Sequence, residues 1–377
     1  MMVQPLNDIL VLDFSTLLPG PLATLMLAEA GAEVVKLERP RTGEDARRTE
    51  PKIDGASIGY AILNRGKKSI ALDLKAEGAV ESLRPLIEKA DVLVEQFRPG
   101  VMDRLGLGYE AVRAVNPGIV YCSITGYGQT GPRAQDAGHD LNYVGETGFL
   151  ALSMGEATDA VLPAAPIGDI GGGTYPAVVN ILLALEERRR TGRGRHIDIA
   201  MSENVFTFAY WALAAGFGGG AWPKEGGHMV TGNSPRYRVY ATRDGKGLVV
   251  AALEEKFWAT FCDTIGLDKA LRDDANNPSA TAQTIAGIIA SADAAEWSYR
   301  LAGKDCCVTL LTDLETAVRD PHFAAGGVFD ARVANEAGGE MPALPIPIAR
   351  EFRVSPDGVL SSPALGVANG QATEAAE

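Results

Sequence analysis

The sequence predicts an α/β fold in which helices cover a mostly parallel sheet. Near its start, DILVLDF has the apolar pattern of a buried strand, PLATLMLAEAGA that of a helix, and EVVKLERP that of a second strand. The strand patterns KSIALDL, DVLVEQF and GIVYCSIT follow, with the helical pattern AEGAVESLRPLIEKA between the first two. Strands that alternate with helices are typical of parallel sheets, so we predict one α/β domain in this part of the chain.

The clearest change in composition is the glycine-rich stretch from Gly216 to Gly232, which predicts a linker. After it, RYRVYAT and LVVAALE flank the turn RDGKG, which is the pattern of a β-hairpin, and EKFWATFCDTIG predicts a helix. We therefore predict a large domain over residues 1–215, a linker over 216–235, a smaller α+β domain over 236–325 and a C-terminal segment over 326–377.

Composition limits the classes of partner. The chain has 377 residues, of which 46% are hydrophobic and 22% charged, as is ordinary for a globular protein with a large core. Its net charge of -13 argues against general binding to nucleic acid or to anionic membranes. The start, MMVQPLNDIL, has no signal-peptide pattern, and no stretch is long and apolar enough to span a bilayer. We expect a cytoplasmic protein without nucleic-acid or membrane partners.

Metal and dinucleotide sites are not predicted. The four cysteines have no CxxC spacing and the four histidines have no HExxH spacing. GYGQTG, at 126–131, matches the GxGxxG motif after a strand, but Pro132 and a polar stretch follow instead of an apolar helix. We expect no metal ion, nicotinamide or flavin.

A candidate catalytic carboxylate, Asp169, lies in AAPIGDIGGGTYPAVV. One interpretation is a helix cap in a turn, since Asp, Gly and Thr all serve that purpose. The other is chemistry at a helix N-terminus, because TYPAVVNILLALEERRRTG has helical spacing, with Val178, Leu182 and Leu185 on one face. Backbone N–H groups near 171–173 would then stabilise an oxyanion.

Further candidates remain open between a structural and a chemical role. His139, in AGHDLNY, is either a surface histidine or a proton-transfer group. Glu254, at the predicted end of a strand, is either a helix-terminal carboxylate or part of a site. Basic residues after predicted strands form either a solvated face or a rim for phosphates; they are Arg39, Lys67, Lys68, Lys75, Arg98 and Arg104.

Several ordered blocks resemble the class III coenzyme A-transferase superfamily (CaiB/BaiF type), which includes the α-methylacyl-CoA racemases. The blocks are VLDFSTLLPGPLATLMLAEAGAEVVKLERP, KKSIALDLK, FRPGVMDRLGLG, TGYGQTGP, IGDIGGG and EERRRTGRGRHIDIAMSENV. The resemblance as a whole spans roughly residues 6 to 355. The resemblance implies a Rossmann-like large domain with a parallel sheet, a small domain, a C-terminal segment that returns to the large domain, and an intertwined homodimer.

The resemblance also implies roles for the candidates. The aspartate of the block GDIGGG is catalytic, which points to Asp169. The racemase branch adds a histidine in a GHDxNY loop, here His139, and a glutamate at a strand end, here Glu254 in ALE, which supports the histidine from the other subunit. We therefore expect inversion of the α-carbon of a 2-methyl-branched acyl-CoA by two-base proton transfer through an enolate. The alternative is transfer of CoA between carboxylic acids through a mixed anhydride and thioester at Asp169.

Coenzyme A is expected as part of the substrate, and no prosthetic group is expected. The residues that the resemblance assigns to its binding are Arg39, Leu72, Lys75, Gln96, Phe97, Arg98, Arg104, Gly138, Asn142 and Tyr143. The eight methionines show no cluster along the sequence, unlike the methionine-rich surface of the resembling racemases, so the acyl group is not predicted.

Overall fold

The computed structural model describes residues 4–153, 161–224 and 226–369. Its strands are β1 Leu10–Asp13, β2 Glu33–Glu38, β3 Lys52–Ile53, β4 Ala56–Ser57, β5 Lys68–Ala71, β6 Val92–Glu95, β7 Val120–Thr125, β8 Arg195–Ala200, β9 Tyr237–Ala241, β10 Gly247–Ala251, β11 Val308–Leu310, β12 Arg332–Ala334, β13 Glu340–Pro342 and β14 Val359–Ser361. Its α-helices are α1 Pro19–Glu29, α2 Ile58–Asn64, α3 Ala79–Lys89, α4 Val101–Arg104, α5 Tyr109–Val115, α6 Asp140–Glu146, α7 Tyr175–Thr191, α8 Met201–Val205, α9 Tyr210–Leu213, α10 Glu255–Ile265, α11 Pro278–Ile289, α12 Ala294–Leu301, α13 Leu314–Ala317 and α14 Pro321–Ala325.

The main sheet has six strands in the order β5-β2-β1-β6-β7-β8, and every neighbouring pair is parallel. This confirms the predicted α/β class with a parallel sheet. The order runs outward in both directions from β1 and β6, which is the doubly wound arrangement. In such sheets the loops after the two central strands diverge and leave a crevice at their carboxyl ends, where ligands bind.

Successive residues of the central strands face opposite sides of the sheet. Val11 and Val34 pack with α1 and α7 on one side, whereas Leu12 and Val35 pack with α3 on the other. Helix α1 is buried along its whole length, which explains why its sequence is apolar all round. A strand that is buried on both faces of a sheet does not alternate between apolar and polar residues. Its mainly apolar sequence is therefore recognisable as a continuous run.

The helix that carries Asp169 begins earlier than predicted, at Ile167. A π-helical segment, Ile167–Thr174, continues directly into α7. Of the three residues predicted to share one helical face, Val178 and Leu185 are buried, whereas Leu182 is 43% exposed. The neighbouring Ile181 is fully buried. The apolar stripe of α7 is wide, and only its inner half contacts the sheet.

The contacts divide the chain into two units. The first comprises Met1–Thr147, Ala164–Thr207 and Asp320–Glu377, and the second comprises Gly148–Pro163 and Phe208–Arg319. In the second, β9 and β10 form the expected antiparallel hairpin, and α10 packs on it through Trp258 and Phe261. The domain bounds near 215 and 325 stay predictions. Among the described residues, every helix is too short or too polar to span a bilayer.

Part of the predicted linker has helical structure. Residues Ala214–Gly218 form a π-helical turn and Met229–Thr231 a 3-10 turn. The glycines there therefore do not all lie in irregular chain. A short turn needs only local hydrogen bonds, and composition alone does not predict it.

Candidate active site

Two cavities of the first unit lie at the carboxyl ends of β1 and β6, where the strand order predicts a crevice. The first has a volume of about 440 Å³ and is lined by residues that include Gln96, Arg98, Gly138, His139, Asn142, Tyr143 and Asp169. The second has a volume of about 910 Å³ and is lined by residues that include Arg39, Leu72, Lys75 and Arg104. Thr16 and Phe97 line both cavities, so the two cavities adjoin at these residues.

Asp169 lies in the first turn of its helix, half-buried in the wall of the first cavity. Its backbone N–H donates to Oδ1 of Asp140, with 2.9 Å between the two atoms. Burial raises the pKa of the Asp169 carboxyl to about 6; the negative Asp140 raises it further, and His139 opposes the shift. A carboxyl with a pKa near neutrality can both accept and return a proton.

His139 is the last residue of an irregular segment and occupies the N-cap position of α6. Its backbone N–H donates to Oδ1 of Asn142, with 3.0 Å between the two atoms. Helix α6 therefore fixes the backbone of His139 through Asn142 and supplies Asp140 to the backbone of Asp169. The imidazole is at the exposed side of the first cavity.

Tyr143 is the centre around which the cavity is built. A Cβ atom added to Gly126, Gly138 or Gly168 would lie 2.6, 2.7 or 3.2 Å from its ring, so three chain segments pack closely against it. Its hydroxyl donates to the carbonyl of Gly138 at 2.6 Å, and burial raises its pKa to about 12. The residues next to these glycines are Thr125, His139 and Asp169. One buried ring thus gathers three candidate groups that are distant in sequence.

The second cavity combines exposed cations with apolar surface. Lys75 and Arg104 are exposed at its wall, and Arg39 there forms an exposed ion pair of 2.9 Å with Asp45. Leu72 and Phe97 supply the apolar part. Mobile cations beside an apolar slot suit a phosphorylated ligand with a flat ring.

Lys67 does not belong to this rim, and the expectation that it does was wrong. Its side chain is fully buried, 3.1 Å from Asp13, and donates also to Thr24, to Asn64 and to the carbonyl of Pro21. A buried ammonium with four acceptors is a structural cation, because it has no donor left for a ligand. Its neighbour in sequence, Lys68, pairs with Glu33 at the surface.

The glycines of GDIGGG have a packing role in this structure. Gly172 and Gly173 are buried, and a Cβ on either would lie 2.3 Å or 3.0 Å from atoms of Met201. The residues that line the first cavity include Asp169 but none of these glycines. Gly172 and Gly173 therefore pack against Met201 of α8, and the glycines predicted to supply oxyanion donors do not line this cavity.

Glu254 belongs to the second unit, where it precedes α10 as its N-cap residue and is exposed. The strand before it ends at Ala251, so Glu254 lies beyond the strand rather than at its end. It lines neither cavity of the first unit. Its role in a site stays a prediction.

Two functional candidates were given no role from the sequence, although one of them, Asp140, lies in the GHDxNY block. Asp140 contacts the backbone of Asp169, as described above. Glu95, the last residue of β6, is 3% exposed; its Oε2 accepts the N–H of Phe97 at 2.8 Å, and burial raises its pKa to about 7. What the sequence offers for either residue is its place in the chain, next to a segment that lines a cavity.

The model of CoA-transferase family III matches residues 6–367 of the chain. The chain belongs to CoA-transferase family III. As expected for a family III member, it is similar to a CaiB/BaiF family protein from Brucella suis over 100% of both chains, with a TM-score of 0.83 and 27% identity. The resemblance on the sequence blocks is thereby confirmed.

Relatives within family III have two kinds of activity. The chain is 34% identical over 325 residues to the α-methylacyl-CoA racemase of Mus musculus, covering 84% of this chain and 80% of the racemase. It is 32% identical over 355 residues to the acetyl-CoA:oxalate CoA-transferase of Acetobacter aceti, covering 92% of this chain and 89% of the transferase. These identities are too close to separate the two activities.

Proposed function

We propose that this family III member is an α-methylacyl-CoA racemase-like isomerase, which inverts the α-carbon of a 2-methyl-branched acyl-CoA. The observation that carries the proposal is that His139 and Asp169 line one cavity, which adjoins a second cavity with cationic residues in its wall. Racemisation needs a proton acceptor and a proton donor at one carbon, and a carboxylate and an imidazole have suitable chemistry for these roles.

The proposed reaction is a proton transfer in two steps. Asp169, as a carboxylate, removes the α-proton from one face, which leaves an enolate conjugated with the thioester. Protonated His139 then delivers a proton to the other face, and the reverse direction exchanges these roles. The pKa of about 6 for Asp169 suits this exchange, because neither protonation state is strongly disfavoured near neutrality.

Coenzyme A is proposed as the common part of the substrate, and no prosthetic group takes part. Arg39, Lys75 and Arg104 would hold its phosphates, and Leu72 and Phe97 would contact its adenine ring. The remaining lining residues, Gln96, Arg98, Gly138, Asn142 and Tyr143, would border the pantetheine on its path toward Asp169. The order of cavities supports this direction, since the cationic slot and the acid–base pair lie at opposite ends of the path.

An intertwined homodimer is part of the proposal. Val179, Leu182 and Leu183 on α7 are 55%, 43% and 64% exposed, which leaves an apolar stripe uncovered in the single chain. A second copy of the chain would cover it. In that assembly Glu254 of the partner subunit would support His139, as the family resemblance implies.

Transfer of CoA between carboxylic acids is the second candidate. The transferase relative of similar identity favours it, and Asp169 would then attack the thioester as a nucleophile. That chemistry has no need of a proton donor on the opposite face, so the placement of His139 in the cavity supports the isomerase first.

Incubation with a single-enantiomer 2-methylacyl-CoA in deuterated water, without any acceptor acid, tests the proposal. We expect deuterium at the α-carbon together with loss of optical purity, read by mass spectrometry and chiral chromatography. Transfer of CoA that begins only when a free carboxylic acid is added, without α-exchange, would establish the transferase instead.

A further inference from the structure

Thr125, the last residue of β7, carries a buried hydroxyl without a partner. The residue is 7% exposed and lines the first cavity together with His139 and Asp169. Within the part of the chain that the structure describes, its Oγ1 makes no hydrogen bond. An enclosed hydroxyl left unpaired costs about 1–3 kcal/mol, so its position calls for a partner that the chain does not supply.

Other buried hydroxyls nearby are satisfied. Oγ of Ser123, two residues earlier on the same strand, is 3.0 Å from Nε2 of His196. The hydroxyl of Thr174 donates to the carbonyl of Pro19 at 2.9 Å. Thr125 differs in this respect from Ser123 and Thr174.

The packing around Tyr143 places Thr125 with the acid–base pair. Gly126, Gly138 and Gly168 all contact that ring, and they directly adjoin Thr125, His139 and Asp169 respectively. The three side chains thus belong to three chain segments that pack against the same ring of Tyr143. The glycines at 171–173, predicted as the source of oxyanion donors, lie outside the cavity wall, so this donor role is open for another group.

We infer that Thr125 donates its hydroxyl to the thioester carbonyl oxygen of the bound acyl-CoA. This inference rests on the proposed function for its substrate. The carbonyl oxygen supplies the acceptor that the protein does not, and it becomes negative when the α-proton leaves. A donor already in place stabilises that charge more strongly than it stabilises the neutral thioester.

The test compares Thr125→Val with Thr125→Ser. Valine has the same shape without the hydroxyl, and serine keeps the hydroxyl. For Thr125→Val we expect the kcat of α-proton exchange to fall by about 10²- to 10³-fold. The thermal unfolding midpoint without ligand should stay the same or rise, because an unpaired polar group has been removed. Thr125→Ser should retain most of the activity.

Thr281→Val is the matched control for burial. The hydroxyl of Thr281 is also buried but donates to the carbonyl of Leu271 at 3.0 Å. Its loss leaves a carbonyl without a partner, so we expect a lower unfolding midpoint and an unchanged kcat. Thr125→Val should therefore lower kcat without lowering the unfolding midpoint, whereas Thr281→Val should lower the unfolding midpoint without changing kcat.

Two results would overturn the inference. The first is a kcat of Thr125→Val within threefold of the unmodified protein. The second is a fall in its unfolding midpoint like that of Thr281→Val, which would make the hydroxyl structural. If the unmodified protein catalyses no exchange, the proposed function fails separately. The inference is then decided by acyl-CoA affinity in calorimetry, where Thr125→Val should bind several-fold more weakly and equal binding would reject it.

Discussion

The protonation of Asp169 is set by groups that can be named. Enclosure in the cavity wall raises its pKa first, and the carboxylate of Asp140 adds to the effect. In the direction in which Asp169 removes the proton, the enzyme needs the carboxylate form. The acidic limb of its kcat/KM should therefore rise with pH through about 6.

Replacing Asp140 by Asn tests this origin. The amide keeps an oxygen that can accept the N–H of Asp169, but it removes the negative charge. We expect the acidic limb of kcat/KM to move to lower pH by roughly half a unit to one unit. Asp136→Asn, which changes another carboxylate of the same cavity, is the control and should leave the limb in place. If Asp140→Asn leaves the acidic limb of kcat/KM at the same pH, a group other than Asp169 is responsible for that limb.

At this scale the sequence predicted some groups and missed others. Asp169 and His139 lie in distinctive local motifs, and both line the cavity. Asp140 follows His139 directly, but its contact with the Asp169 backbone spans 29 positions of sequence, and nothing local signals it. The unpaired hydroxyl of Thr125 is likewise a property of its surroundings. Motifs identify the reacting groups, whereas their tuning depends on tertiary contacts.

At the scale of elements, the carboxyl ends of β6 and β7 carry a buried acid–base cluster. Glu95 at the end of β6 interacts with Ser123 of β7, whose hydroxyl lies against His196 of β8. Tyr109 stacks on that imidazole from α5. The cluster supports the loop of Phe97, which lines both cavities, through the N–H bond to Glu95.

Glu95 should make stability dependent on pH. Its folded-state pKa, about 7, lies above its ordinary value of 4.5, because of burial and of repulsion from Asp103 and Asp198. The ionised form therefore destabilises the fold: the cost is absent below pH 4.5 and complete above about pH 7. The difference corresponds to at most about 3 kcal/mol.

Glu95→Gln should thus stabilise the protein at pH 8 and have little effect at pH 5, as measured by urea unfolding at both pH values. Glutamine retains an oxygen for the Phe97 N–H. Glu110→Gln removes an exposed carboxylate from the same region and should leave both free energies unchanged. A Glu95→Gln variant that is less stable at pH 8 would mean that the charge is favourable in the folded state.

Elements of the large domain were predictable because their patterns are strong. Buried strands such as β1 and β7 are continuous apolar runs, and α1 is apolar all round. The start of the Asp169 helix was not predicted, because glycine and proline around it mask a π-helical segment that tertiary contacts stabilise. For α7, the helical spacing of the apolar residues did not show that only half of the apolar stripe faces the sheet.

At the scale of the whole molecule, the uncovered stripe of α7 is the feature that a single chain leaves unexplained. Val179 and Leu183 are four positions apart and lie on the same helical face. Exposed apolar surface of this kind marks an interface. The sequence resemblance supplied the dimer as an expectation; the division into two units within one chain does not determine how two chains assemble.

Leu183→Lys tests the assembly. We expect the unmodified protein to sediment as a dimer and this variant as a monomer, because a lysine in an apolar interface loses its hydration without a partner. Exchange activity should fall in parallel by at least about tenfold if the partner's Glu254 supports His139. Ala111→Lys, which adds the same charge on the exposed side of α5, should remain dimeric. A monomeric unmodified protein with full activity would contradict the proposed dimer.

The central claim, that His139 and Asp169 reach one α-carbon from opposite faces, is tested most directly by exchange with each pure enantiomer in deuterated water. His139→Gln should exchange the α-proton of only one enantiomer, with its configuration retained, and Asp169→Asn should exchange only the other. If either variant still inverts the α-carbon, or if both lose exchange of the same enantiomer alone, the two residues do not act on opposite faces.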